Sequence, residues 1–168
     1  MALERLHSGL EIPEFSVRIP WLITEAELFE QIPETAFTRS IACWPMLRCT
    51  VLGFDTVWGF NFVTHPDDLF IGIRYDSEDI ETADDSFAAA RAGMLAGLGE
   101  PNRFNNPDHQ RWEDEWCCVN NAVYGGVTPE GQEFRQHRAF FYLRRTNRSQ
   151  SFEALRWSSP GHSKPDIL

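Results

Sequence analysis

Five histidines (His7, His65, His109, His137 and His162) and four cysteines (Cys43, Cys49, Cys117 and Cys118) are the side chains in this sequence best suited to nucleophilic or general-base chemistry. Their spacing builds no local motif. There is no Gly-x-Ser-x-Gly elbow. No Cys-x-x-Cys occurs with a second pair or with a spaced pair of histidines, so no zinc site is legible. Gly125-Gly126 lies between two β-rich runs and not before a helix, so it aims no helix N-terminus at a phosphate. The cysteines read as reduced core or near-core residues, and Cys117 and Cys118, being adjacent, fall on opposite faces of a strand.

Carboxylates are the more prominent chemistry. Asp76, Glu78, Asp79, Glu81, Asp84 and Asp85 crowd one ten-residue stretch, and Glu113, Asp114 and Glu115 sit between Trp112 and Trp116. A local cluster of acids does not by itself create two opposed carboxylates, so an acid–base pair is not the expectation. The first cluster also lacks the alternating spacing and distant Glu of a calcium loop. Taken alone, the second cluster reads as a solvated edge at the start of a strand, and the first as a solvated loop and a favourable helix cap. Catalytic residues, metal ligands and cofactors are therefore expected to be none.

The 168 residues carry a formal net charge of −10, unevenly spread. Residues 1–134 hold 23 acidic and 8 basic side chains, and residues 135–168 hold 2 acidic and 7 basic. An acidic body repels phosphate backbones and attracts basic partners. Arg135, Arg138, Arg144, Arg145 and Arg148 interleave with Phe140, Phe141 and Tyr142 in the manner of a single-strand stacking platform. On the charge balance they are expected to pair with the protein's own carboxylates, with no nucleic acid bound. No basic start with a following apolar run marks a signal peptide, and no stretch approaches a membrane span, so a cytoplasmic location without a membrane partner is the expectation.

The elements that would carry these residues read as α+β. Thr24-Glu25-Ala26-Glu27 is a capping-box pattern opening a helix over 25–32, stopped by Pro33. Alternating runs at 37–44, 47–51, 57–62 and 69–75, joined by short turns, read as an antiparallel meander. Phe87, Arg91, Met94, Leu95 and Leu98 form the stripe of a helix over 85–98, which Gly99 and Pro101 end. A polar loop over 101–111 leads to strands at 116–124 and 138–144. The expected fold is a single antiparallel sheet of about six strands with two helices packed on it, in the order α-ββββ-α-ββ. Residues 1–145 would form one domain and residues 146–168 a flexible or loosely docked tail.

A small, acidic α+β chain in this helix–strands–helix–strands order resembles the immunity proteins that bacteria make against their own polymorphic, contact-dependent toxins. The Leu98-Gly99-Glu100-Pro101 junction and the Trp-led strand at 112–119 add to the likeness. The resemblance implies a cytoplasmic antitoxin, monomeric or weakly dimeric, that occludes the active site of a basic toxin domain by charge complementarity. Asp76, Glu78, Asp79, Glu81, Asp84 and Asp85, with Trp112, Glu113, Asp114, Glu115 and Trp116, would form its contacts. Two alternatives stay open. One is a dimeric chaperone for a secreted effector, using the helix at 85–98 with Gly93 and Gly97. The other is a small-ligand binder or enzyme with a pocket between sheet and helix, near Trp58 and Phe60.

Overall fold

A computed structural model describes residues 2–40, 43–62, 70–75 and 82–144. Two strands, β1 (Leu10–Ile12) and β2 (Val17–Ile19), form an antiparallel ribbon behind a 3-10 helix at Ala2–Leu6. Helix α1 (Glu25–Gln31) follows. Then come β3 (Thr38–Arg39), β4 (Pro45–Val51), β5 (Phe54–Asn61) and β6 (Phe70–Tyr75). Helix α2 (Ala83–Leu98) precedes β7 (Asn105–Asn106), β8 (His109–Glu113), β9 (Cys117–Val127) and β10 (Glu133–Arg144).

β3 to β10 make one antiparallel sheet in the order β3-β4-β5-β6-β10-β9-β8-β7. Each half is a meander of sequence neighbours, and the halves meet where β10 pairs with β6. The α+β class and antiparallel pairing agree with the sequence reading. The single sheet of about six strands does not: among the described residues there are eight strands in one sheet and a separate two-stranded ribbon. Of the expected strand at 37–44, whose residues 41–42 lie outside the described residues, only Thr38–Arg39 are strand among those described; Glu34–Ala36 take a 3-10 turn before it and Cys43 adopts a left-handed φ of 63°.

Period-two alternation decides which side chains face the core. Leu47, Cys49 and Val51 on β4, Phe54, Trp58 and Phe60 on β5, Val119 on β9, and Ala139, Phe141 and Leu143 on β10 are buried. The alternate positions Arg48 and Asp55 are exposed, and Arg138, Phe140 and Tyr142 are half-buried. The inner face is covered by α2, which packs on β5, β9 and β10, and by the N-terminal ribbon, which packs on β4. Leu3, Leu6, Leu10, Ile12 and Ile19 join this core, so the segment from the 3-10 helix to β2 is built into the fold.

α1 has the capping box its sequence announces: Thr24 Oγ1 accepts from the Glu27 N–H, and the Glu27 carboxylate accepts from the Thr24 N–H at 2.8 Å. It reaches the sheet through an edge-to-face chain of Phe29, Phe37 and Phe60. α2 buries Phe87, Ala90, Met94 and Leu98. Arg91, expected on that stripe, is exposed, and Ala90 occupies the contact instead. Leu52 and Gly53 both have positive φ (50° and 77°), the backbone of a two-residue hairpin turn whose twist matches its strands. That turn lies against α2 at Gly93, where an added Cβ would stand 3.1 Å from the Gly53 carbonyl carbon and 3.2 Å from the Phe54 nitrogen. The short turn expected between the runs at 47–51 and 57–62 is thus only Leu52-Gly53, and Phe54 already belongs to β5.

Candidate functional site

The β9–β10 hairpin runs on past the core. From Tyr124 to Arg135 its side chains are exposed, Thr128 alone being half-buried. Register places Tyr124 opposite Gln136, Gly125 opposite Arg135, Gly126 opposite Phe134 and Val127 opposite Glu133. The Phe134 ring lies across Gly126, where a Cβ would stand 2.9 Å from its Cε1. On the same face the Arg138 guanidinium sits 5.9 Å from the centre of the Tyr124 ring and donates to Gln136 Oε1 at 2.9 Å.

Arg135 ties this hairpin to two other elements. Its guanidinium holds Asp84 of α2 through Nε at 3.0 Å and Nη2 at 2.7 Å, and Asp108 of the β7–β8 turn through Nη2 at 2.8 Å. The hydrogen bond from Arg135 holds the Asp84 carboxyl below its ordinary range. The Asp108 carbonyl accepts from the Val123 N–H at 2.8 Å. Beside it Phe104 stacks on His109, with centroids 4.6 Å apart. His109 Nε2 bonds Asn120 Oδ1 at 2.6 Å. Thr82 caps α2 by accepting from the Asp85 N–H at 3.1 Å, leaving the Asp85 side chain exposed.

Four large apolar side chains among the described residues remain substantially open to solvent: Phe104 (45%), Tyr124 (44%), Val127 (64%) and Phe134 (45%). Register puts Tyr124 and Phe134 on the face of the hairpin opposite to Arg135, the face that also carries His109 with Phe104 stacked on it, while Val127 lies on the Arg135 face. Exposed aromatic side chains on one face, with the Arg138 guanidinium beside Tyr124, have the composition of an interaction site.

The residues singled out from sequence separate in space. Asp84 and Asp85 belong to this end; Asp76, Glu78, Asp79 and Glu81 lie outside the described residues. The 112–116 group is at the opposite end of β8. Trp112 is only 1% exposed and donates its indole N–H to the Gly99 carbonyl at 2.8 Å, so it belongs to the core and cannot anchor a partner. Glu113 is held by Arg103 at 2.9 Å and Arg111 at 2.6 Å. Asp114 bonds His7 at 2.7 Å and accepts from the backbone N–H groups of Trp116 and Cys117. Burial raises the Asp114 pKa, but these hydrogen bonds outweigh it and hold the carboxyl below its usual range. Glu115 is exposed and Trp116 half-buried.

A second polar group has the order of a nucleophile triad but is sealed. Ser86 Oγ lies 2.5 Å from His137 Nδ1, and His137 Nε2 lies 2.5 Å from Asn121 Oδ1. Asn121 Nδ2 donates to Gln110 Oε1 at 3.2 Å and to the Phe87 carbonyl at 3.4 Å. That fixes Oδ1 toward the imidazole, so Nε2 carries the proton and Nδ1 accepts from the serine. Burial lowers the His137 pKa to about 4, which keeps the ring neutral. Ser86, His137 and Asn121 are 0% exposed beneath α2, so the arrangement joins helix to sheet and offers no substrate a way in.

Among the cysteines, Cys43 is exposed, against expectation, and Cys49, Cys117 and Cys118 are buried and free. Burial pushes the Cys49 thiol up to about 12, so it is not a nucleophile. A cavity of about 500 Å³ opens between the N-terminal ribbon, the β4–β5 turn and the second half of α2. Leu6, Leu10, Ala96 and Gly97 line it, with Arg5 and Arg18 among its polar side chains. No helix among the described residues is long and apolar enough to cross a membrane.

No protein-family model matches this chain, and no curated protein and no solved structure shows significant similarity to it.

Proposed function

We propose that this protein is a protein-binding inhibitor of the immunity type, which neutralises a basic toxin domain by docking the end formed by the α2 N-terminus, the β7–β8 turn and the β9–β10 hairpin over the toxin's active site. The observation that carries the reading is the exposure of Phe104, Tyr124 and Phe134 on one face of this end of the sheet, whose other face the Asp84–Arg135–Asp108 network braces. Rigid aromatic anchors supply desolvated contact area. Exposed acids at this end, Asp84 and Asp85 of the first turn of α2 and Asp108, supply attraction and orientation for a cationic partner. Because the Arg135 clamp fixes three elements against one another, little ordering entropy is lost on docking.

The test is co-expression with the toxin domains encoded beside the gene, read as cell survival and as direct binding of the purified pair. The wild-type chain is expected to protect against one of them, and the double variant Tyr124→Ala/Phe134→Ala to lose protection while remaining folded. If the wild-type chain protects against none, the inhibitor reading falls. If the double variant protects fully, the interface lies elsewhere.

The effector-chaperone alternative loses its proposed helix face, because Gly93 and Gly97 already receive this chain's own β4–β5 turn. A small-ligand reading finds no pocket at Trp58 and Phe60, which are buried, but keeps the cavity under the N-terminal ribbon, where Arg18 is paired with Glu11 and Arg5 stands beside an apolar wall.

A further inference from the structure

We propose that His7, Asp114 and Cys117 form a binding site for a borderline-soft divalent cation of the zinc class. The donor atoms of these three residues all lie within 4.8 Å of one another, and among the described residues this is the one cluster of its kind. They come from three places in the fold: the turn after the N-terminal 3-10 helix, the β8–β9 turn, and the first residue of β9. One nitrogen, one oxygen and one sulfur make a donor set that zinc prefers to calcium or magnesium, which take oxygen. Three protein ligands leave a fourth position for water.

The surroundings hold the donors as an outer shell would. Asp114 Oδ1 accepts from the N–H groups of Trp116 and Cys117 at 2.8 and 2.9 Å, which turns Oδ2 toward His7. The β8–β9 turn is closed by the Asp114 N–H donating to the Cys117 carbonyl at 3.1 Å. The His7 ring rests near Trp116, with centroids 6.2 Å apart. Cys117 Sγ has the Leu3 carbonyl at 3.9 Å, a weak thiol contact that a metal bond would replace. Side-chain exposures of 23% for His7 and 16% for Asp114 leave an approach from solvent, while Cys117 forms the buried floor. A tetrahedral centre separates such donors by roughly 3.3–3.6 Å. The 2.7 Å His7–Asp114 contact must therefore open slightly and Cys117 swing inward. On binding, a metal–sulfur bond replaces the thiol S–H and its proton leaves to solvent; His7 donates a neutral ring nitrogen.

The site is tested with the reduced, untagged full chain titrated with Co²⁺ alone and then with Zn²⁺. The expected result is a saturable one-to-one thiolate-to-cobalt absorption band with tetrahedral visible bands, abolished when Zn²⁺ displaces the cobalt. Cys117→Ser should remove the thiolate band. His7→Ala and Asp114→Asn should each weaken binding by about tenfold or more. Cys43→Ser, which removes the exposed cysteine, should change nothing. Zn²⁺ should also raise the melting temperature of the wild-type chain and not that of His7→Ala. Should Cys117→Ser fail to fold, the decision rests on the wild-type titration and on Asp114→Asn, whose remaining carbonyl still serves the two backbone N–H groups. The proposal is overturned if wild-type protein shows no saturable band with Co²⁺ in large excess, if Asp114→Asn and His7→Ala bind as tightly as wild type, or if the band disappears with Cys43→Ser.

Discussion

At the residue scale, His137 makes folding sensitive to mild acid. Burial holds its folded pKa near 4, against 6.5 for the free side chain. Between those values the unfolded chain binds a proton that the folded one refuses, so stability is complete above pH 6.5 and falls as pH drops toward 4. A shift of this size corresponds to about 3 kcal/mol. Asp114 and Glu14, whose folded pKa values are depressed, add losses of the same sign, starting from their ordinary values of 3.8 and 4.5 and continuing below them. Urea denaturation at steps from pH 7.5 to 4.5 should show the slope in wild type. His137→Gln should be less stable at pH 7.5 and flatter across the interval. A wild-type curve level between pH 6.5 and 4.5 would show that the ring accepts its proton without opening the α2–sheet contact. The three members of this network are separated by 35 and 16 positions in sequence, and only the stacking of α2 on β9 and β10 brings them together. Nothing local marked them, and His137 sits in a run whose arginines and aromatics drew attention to the other face.

At the element scale, two glycines in one helix are expected to behave oppositely. Alanine is the better helix former by about 1 kcal/mol at either site. At Gly93 the new methyl meets backbone of the Leu52-Gly53 turn and Phe54, which cannot move without breaking the hairpin. Gly93→Ala should therefore cost about 1–3 kcal/mol net. At Gly97 the nearest atom is the Leu52 Cδ2 at 3.2 Å, the end of a flexible side chain. Gly97→Ala should fall within about 1 kcal/mol of wild type. Urea midpoints of both variants, measured together, check the contrast, and equal losses would refute it. The elements that were legible share one cause. Where one face is apolar and the other polar, as at Leu47-Cys49-Val51 or Trp58-Phe60, the period shows through; where a capping box stands, as at Thr24–Glu27, the helix start does too. β7 and β8 were read as a polar loop because Asn105, Asn106, His109, Gln110 and Arg111 offer a single apolar neighbour, Trp112. A sheet's outermost strands need few apolar residues once a partner ladder holds them. β1 and β2 escaped because three-residue strands are too short to show a period, although Leu10, Ile12 and Ile19 are deeply buried. Of the proposed contact end, Asp84 and Asp85 were legible as acids at a helix start; Phe104, Tyr124 and Phe134 come to one face only through strand register.

At the scale of the whole molecule, the uneven charge takes on a geometric sense. Of the described basic side chains of β10, Arg135 is neutralised by Asp84 and Asp108, while Arg138 bonds neutral Gln136 beside the Tyr124 ring and keeps its charge. If the acids around the contact end steer a basic partner, Asp85→Lys should slow association and flatten its dependence on salt, while Tyr124→Ala should act mainly by speeding dissociation. Stopped-flow association at several salt concentrations separates the two, and an Asp85→Lys rate equal to wild type at low salt would remove this helix end from the encounter. The sheet order has a consequence of another kind. Each meander zips between strands that follow one another closely in sequence, so both can form early and alone. The β6–β10 ladder, in which Arg74 stands opposite Phe140, must wait for the closure of everything between. Until it closes, a folding chain carries two bare strand edges, and each is the natural complement of the other in a neighbouring copy. Refolding at high concentration therefore sets a race between closing one sheet and trading halves between two chains.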